Sequence, residues 1–150
     1  MKSEGFHRIV VPTDFSACSL EAWALAQRLA GDFGSELIPV HVLVETPLWS
    51  ESPFNMDRVR DVYETARTWG RAELDKWAAQ GAAAGLKVRP VLRTGVPHEE
   101  VVALATDEVA DLLVIGTHGR GGMSRVLLGS VADRVLRFAP CPVLTVRGPA

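Results

Sequence analysis

The chain has 150 residues, of which 47% are hydrophobic and 23% charged, with a formal net charge of −2; this suits one buried core and excludes a disordered polyelectrolyte. Sixteen basic residues against eighteen acidic ones give no positive excess for general nucleic-acid binding, so any anion site must be local. No stretch approaches the roughly 18–20 consecutive apolar residues that cross a bilayer.

In chain order, Ile9-Val10-Val11 predicts a first strand, stopped by Pro12. Ala22, Leu25, Ala26 and Leu29 recur at helical spacing, with Ser16 placed to cap that helix. Leu37 to Val44 predicts a second strand, with Pro39 near its start. Thr46 to Asn55 is irregular, carries two prolines and reads as a mobile loop. A stripe of Met56, Val59, Val62, Tyr63, Ala66, Trp69, Leu74 and Trp77 predicts a long second helix ending near Gly81 or Gly85. Leu86 to Leu92 is a more polar third strand, as expected toward a sheet edge. Val101, Val102, Leu104 and Ala105 mark a third helix entered through Pro97. Leu112 to Ile115 is continuously apolar, the signature of a strand buried on both faces. Val131, Val135 and Phe138 mark a fourth helix ended by Pro140, and Val143 to Val146 is the fifth strand.

Strands thus alternate with helices long enough to serve as parallel crossovers. The expectation is a single domain over residues 1–150: a three-layer α/β/α open sheet of five parallel strands with four helices. Cys18 and Cys141 are too few for a disulfide framework, and the four histidines lie too far apart in the chain for a structural zinc site. Met1 to Gly5 carries an acid and lacks a signal-peptide pattern. A cytoplasmic protein with reduced thiols is expected, with no nucleic-acid or membrane partner.

Ligands of such sheets bind beyond the carboxyl ends of the strands, which directs attention to Pro12-Thr13-Asp14 and to the segment from Gly116 through Ser130. Five of the 13 glycines fall between positions 116 and 129, and no Asp or Glu occurs from Leu112 to Ala132, where His118, Arg120 and Arg125 do occur. Glycines admit close approach of main-chain N–H groups to an anion, and Gly129-Ser130 stands at a helix start, where the dipole favours phosphate. There is no G-x-x-x-x-G-K-[ST], and position 124 is Ser124 where a G-x-G-x-x-G would need glycine. The pattern present is G-x2-G-x9-G-S.

That spacing resembles the nucleotide-binding branch of the universal stress protein family. The resemblance covers nearly the whole chain: Ile9 through Ser16, Val40-His41-Val42, Asp111 through Gly119, Gly129-Ser130-Val131-Ala132, and Cys141 through Val146. It implies a Rossmann-like fold with strand order 3-2-1-4-5 and ATP lying across the ends of strands one and four. Pro12, Thr13 and Asp14 would line the adenosine side, and the Val42 main chain would pair with the adenine edge. Gly116, Thr117, His118, Gly119 and Arg120, with Gly129, Ser130, Val131 and Ala132, would hold the phosphates. Asp14 repels phosphate at close range, so it would accept from ribose hydroxyls or a metal-bound water. Mg²⁺ would travel with the nucleotide, held by phosphate oxygens and water, with no metal site of the protein's own. The resemblance further implies a homodimer paired through strand five, Val143 to Val146.

Several residues carry a second reading. Asp14 also suits a plain helix cap, and Ser130 a helix N-cap whether or not it touches phosphate. His118 reads as a phosphate donor or a solvated loop residue, Arg120 and Arg125 as loop cations, His41 as a core or strand-end residue. Trp69 and Trp77 read as packing, Trp49 as an adenine cover or simply exposed, and Cys141 as a small residue entering a strand. The functional expectation is an ATP-binding regulatory or sensory module of the stress response without a catalytic residue; the alternative is a slow ATP hydrolase or phosphotransferase, for which only His118 and Asp14 offer a base.

Overall fold

The computed structural model describes residues 4–44, 56–119 and 127–149. Its elements alternate as expected: β1 (Arg8–Pro12), α1 (Ala17–Phe33), β2 (Glu36–Val44), α2 (Met56–Ala83), β3 (Lys87–Val88), β4 (Val91–Gly95), α3 (Pro97–Asp107), β5 (Leu112–Gly116), α4 (Ser130–Phe138) and β6 (Val143–Val146). Strand order is β3-β2-β1-β5-β6, with β4 also on β2, and every pairing is parallel. Six strand segments therefore fill five lanes in the order 3-2-1-4-5, and the expected third strand is split.

Prolines explain the split. Leu37 lies opposite Val88 and Val40 opposite Val91, which sets Pro39 level with Pro90. The Arg89 amide donates to the Leu37 carbonyl at 2.8 Å, so alternate residues of β2, Pro39 among them, face this lane. Pro39 has no N–H to give the Arg89 carbonyl and pairing lapses there, while Pro90, next to the inward-facing Arg89, turns its nitrogen to the outer edge.

Side chains alternate across the sheet into two cores. Ile9, Val11, Leu37, Leu112 and Val114 meet Ala22, Trp23, Ala26 and Ala30 of α1 and Trp77 of α2. Val10, Ile38, Val40, Leu113 and Ile115 meet Val101, Leu104 and Ala105 of α3 with Ala132 and Val135 of α4. Alanines at every fourth position let α1 lie close to the strands. Trp23 stacks on Trp77 at 4.8 Å between ring centroids, and its indole N–H donates to Gln80 Oε1 at 2.9 Å. Ser16 caps α1 by accepting from the Ser19 amide, and Gly34 closes it in the left-handed conformation at φ 70°.

The stripe on α2 is only half used. Gly70, Leu74, Trp77 and Gly81 are buried, whereas Val62 is 69% and Trp69 40% exposed. Length is the reason. A 28-residue helix runs about 42 Å, and the nine-residue β2 only about 30 Å. The expected loop over residues 46–55 lies outside the described residues.

Charged groups tie the amino ends of the strands. Arg89 forks onto Glu108 at 2.9 and 2.6 Å and reaches Glu36, while Asp111 Oδ2 accepts from the His7 and Arg8 amides at 2.8 Å each. The hydrogen bond from Arg89 is the main cause holding the Glu108 carboxyl below its ordinary range.

Trp77→Ala should lower unfolding stability by about 3–5 kcal/mol in urea titrations, as large aromatic deletions in cores do. Because the Glu108 carboxyl is depressed in the folded state, its stabilisation is complete above the ordinary carboxylate range and is lost as pH falls through the depressed value. Arg89→Met should remove that acid-side slope while costing no more than about 1 kcal/mol at neutral pH, given the solvent exposure of the pair; urea titrations across acid pH measure both.

Candidate functional site

The site begins where β1 stops. The Glu36 amide donates to the His7 carbonyl at 2.8 Å and the Thr13 amide to the Val40 carbonyl at 2.9 Å, so even-numbered residues of β2 turn their N–H and C=O toward β1. The β1–β2 register ends at Pro12 opposite Val40. Val42 continues the same series one step beyond, and its main-chain polar groups face the lane past the end of β1. Across that lane, the Leu113 amide donates to Pro142 O at 3.0 Å and the Thr117 amide to Val146 O at 2.9 Å. Odd residues of β5 thus face β6, and Gly116 faces the β1 lane. Pro12 itself turns toward β5 and offers no N–H. Two main chains, two strand spacings or about 9.5 Å apart, line a crevice at the point where strand order reverses.

The turn after β1 closes the floor. Thr13 is buried, and all its polar groups are engaged: the amide on Val40, the hydroxyl accepting from the Phe15 amide at 2.8 Å, and the carbonyl on His41 Nδ1 at 2.8 Å. Asp14 Oδ1 accepts from the Ser16 amide at 3.0 Å and the Ser19 hydroxyl at 2.8 Å; the cap of α1 is Ser16 itself, and Asp14 braces that cap from two residues before it. Its other oxygen lies against Gly119: a Cβ there would stand 2.7 Å from Asp14 Oδ2. Phe15 holds φ at 62°, and its ring packs on His41, Trp69 and Trp77 at 4.8, 5.2 and 5.5 Å.

Close approach accounts for glycine at two positions on the far wall. A Cβ on Gly116 would stand 2.9 Å from Cys18 Sγ and 3.1 Å from the Cys18 carbonyl, where the first turn of α1 abuts the end of β5. A Cβ on Gly129 would stand 2.9 Å from Thr117 O, the carbonyl that accepts the Gly129 amide at 2.7 Å. Positive φ plays no part at positions 116, 119 and 129. Thr117 is buried with its hydroxyl 2.9 Å from His118 Nδ1.

The cap of α4 also differs from expectation. Gly129, not Ser130, is the N-cap; Ser130 is the first helical residue, and no side chain caps the helix. Hydroxyl capping is therefore replaced by a main-chain anchor on Thr117. The first-turn amides of Ser130, Val131 and Ala132 belong to the set that a helix cannot satisfy internally, and the helix dipole adds positive potential there. Asp133, also in the first turn, has its charge countered by Arg137 at 3.2 Å. Arg120 and Arg125 lie outside the described residues, as does Trp49. Cys141 is half-buried; burial first and Asp111 second raise its thiol pKa, so the thiol stays protonated.

The structure therefore brings Asp14 against Gly119, ties Thr117 to Gly129, and sets Val42 and Gly116 on opposite sides of one lane. Sequence reasoning missed Ser19, which fastens Asp14, and the contact of His41 with the Thr13 carbonyl. Ser19 lies in the first turn of α1, five residues from Asp14, a spacing that could have flagged it.

Comparison with known proteins identifies the family and the fold. Residues 5–147 match the model of the Universal stress protein family. Universal stress protein MJ0531 of Methanocaldococcus jannaschii is 37% identical over 147 residues, covering 96% of this chain and 84% of its own. The solved structure of the hypothetical protein MJ0577, from the same organism, aligns with a TM-score of 0.78 at 26% identity, covering 95% of this chain and 96% of that one. A crystal structure of a universal stress protein in complex with cAMP aligns with a TM-score of 0.67 at 28% identity, covering 95% and 97%. With the match spanning both walls of the crevice and nearly all the sequence between and around them, the chain belongs to the universal stress protein family.

Proposed function

We propose that the protein binds an adenine nucleotide, ATP, in the lane beyond β1 and works as a nucleotide-dependent regulatory or sensory module of the cytoplasmic stress response. The observation that carries this reading is the pair of main chains, Val42 and Gly116, facing one crevice that leads to the uncapped start of α4. A strand edge at Val42 offers one donor and one acceptor, the complement of an adenine edge. Asp14 Oδ2 supplies an acceptor for ribose hydroxyls beside Pro12 and Thr13. Gly116 to Gly119 and the amides from Gly129 to Ala132 supply donors for phosphate, with Arg120 and His118 adding charge or donors. The relative solved with cAMP supports adenine nucleotide as the ligand class. Among the described residues no group of three or more His, Cys, Asp or Glu is arranged to hold a metal ion. Mg²⁺ would travel with the nucleotide, held by phosphate oxygens and water.

A homodimer through β6 completes the proposal. Pro142 O and Val146 O accept from β5, so Val143 and Thr145 turn their main-chain groups to the outer edge. Leu136, Phe138 and Leu144 are exposed beside that edge at 43%, 63% and 37%. An open, apolar edge of this kind invites a second strand.

Calorimetric titration of nucleotide-stripped protein with MgATP should show saturable binding, and no heat at millimolar ligand would refute the reading. Asp14→Ala should weaken binding about tenfold, the worth of a hydrogen bond to a charged acceptor. Turnover above about one per second would instead favour a true phosphohydrolase or nucleotide-dependent transferase on the same fold. Thr145→Pro removes an outward N–H without touching the β5 ladder; sedimentation should show a dimer for the parent chain and a monomer for the variant.

A further inference from the structure

His41 lies on β2 one residue before Val42, yet its contact of consequence is with the neighbouring strand's turn. Its Nδ1 stands 2.8 Å from the Thr13 carbonyl; a carbonyl only accepts, so Nδ1 carries the hydrogen and donates. The imidazole is gripped on two sides. The Phe15 ring lies 4.8 Å away by centroid, and on the α2 side a Cβ on Gly70 would come within 2.9 Å of His41 Cδ2. Trp69 adds an edge contact at 6.3 Å. The donor is thus held by ring packing and by a glycine that leaves it room.

Asp14 sits between the two residues that His41 contacts. Thr13 on one side is pinned through its amide by Val40 and through its carbonyl by His41. Phe15 on the other adopts φ 62°, a conformation that side chains adopt rarely and that persists only where surroundings over-determine it. The His41 ring supplies part of that determination. With both flanks fixed and Oδ1 accepting from Ser16 and Ser19, Oδ2 is held on the side of Gly119.

We propose that His41 is a positioning residue for the ribose subsite: its hydrogen bond to the Thr13 carbonyl sets the turn that aims the Asp14 carboxylate. The proposal rests on the nucleotide-binding reading and adds to it the device that orients its ribose acceptor. Removing the donor leaves a buried carbonyl without that partner, and the turn relaxes to satisfy it, carrying Asp14 away from its direction.

The test measures the affinity of His41→Leu, His41→Phe and His41→Asn for MgATP and for Mg-2′,3′-dideoxy-ATP, which lacks both ribose hydroxyls. Leu and Phe have no donor, and Phe keeps a ring between Phe15 and α2 should the leucine variant fold poorly. Both should bind MgATP about tenfold more weakly than the parent chain while binding the dideoxy nucleotide equally well. His41→Asn, whose amide nitrogen takes the place of Nδ1, should stay within about threefold of the parent for both ligands. A general packing defect would weaken both nucleotides alike, and that result overturns the proposal, as does unchanged MgATP affinity in the donorless variants. A parent chain that binds neither nucleotide overturns the nucleotide reading and this inference together, whereas normal parent binding with indifferent variants overturns this inference alone.

Discussion

One constraint shapes the upper end of this molecule: in register, β1 stops before the strands on either side of it. Pro12 ends its pairing toward β5, and the β1–β2 ladder stops at the same residue. The neighbours run on, and their ladders alternate regardless of whether a partner is present. Val42 and Gly116 consequently turn hydrogen-bonding groups into a space that no strand fills. A polar main chain left without a strand is costly unless water or a ligand meets it, and a flat, edge-bonding group between the two walls meets that need. The position of the crevice thus follows from where one proline falls.

Main-chain atoms dominate the walls, and side chains act mostly as wedges and anchors. Gly116 is small because α1 presses against it, Gly129 because it rests on Thr117, and Gly70 because an imidazole occupies the space a methyl would need. Each glycine records the proximity of a particular neighbour. The same tightness fastens α1 to the sheet through small residues, and its first turn is laced by Asp14, Ser16 and Ser19. A site built in this way loses little freedom on binding.

Much of the architecture was legible in the sequence because period and punctuation agree. Ile9-Val10-Val11-Pro12 and Leu112 to Ile115 read as buried strands, and Ser16 and Pro97 opened their helices where expected. The break in the third lane was harder to foresee, since it arises from Pro39 and Pro90 standing abreast, a fact of register and not of either segment alone. The half-exposed α2 was missed for a similar reason: its apolar period continues beyond the length of the sheet, and periodicity carries no information on what lies opposite. In the site, the grouping of Asp14 with the glycine segment followed from topology. The anchor of α4 on Thr117 and the bond from His41 did not, because contacts to main-chain carbonyls leave no mark on residue type.

The facing prolines in the third lane bear on how copies of the chain can join. Strands β3 and β4 form one flank of the sheet, interrupted between Val88 and Val91 and laced with charge at Arg89, a flank on which an incoming strand finds a gap midway and a guanidinium beside it. The opposite flank is β6, where Val143 and Thr145 turn their main-chain groups outward. Were copies to join through that flank alone, the sheet would have a valence of one, and strand addition would end at a pair instead of propagating into fibres.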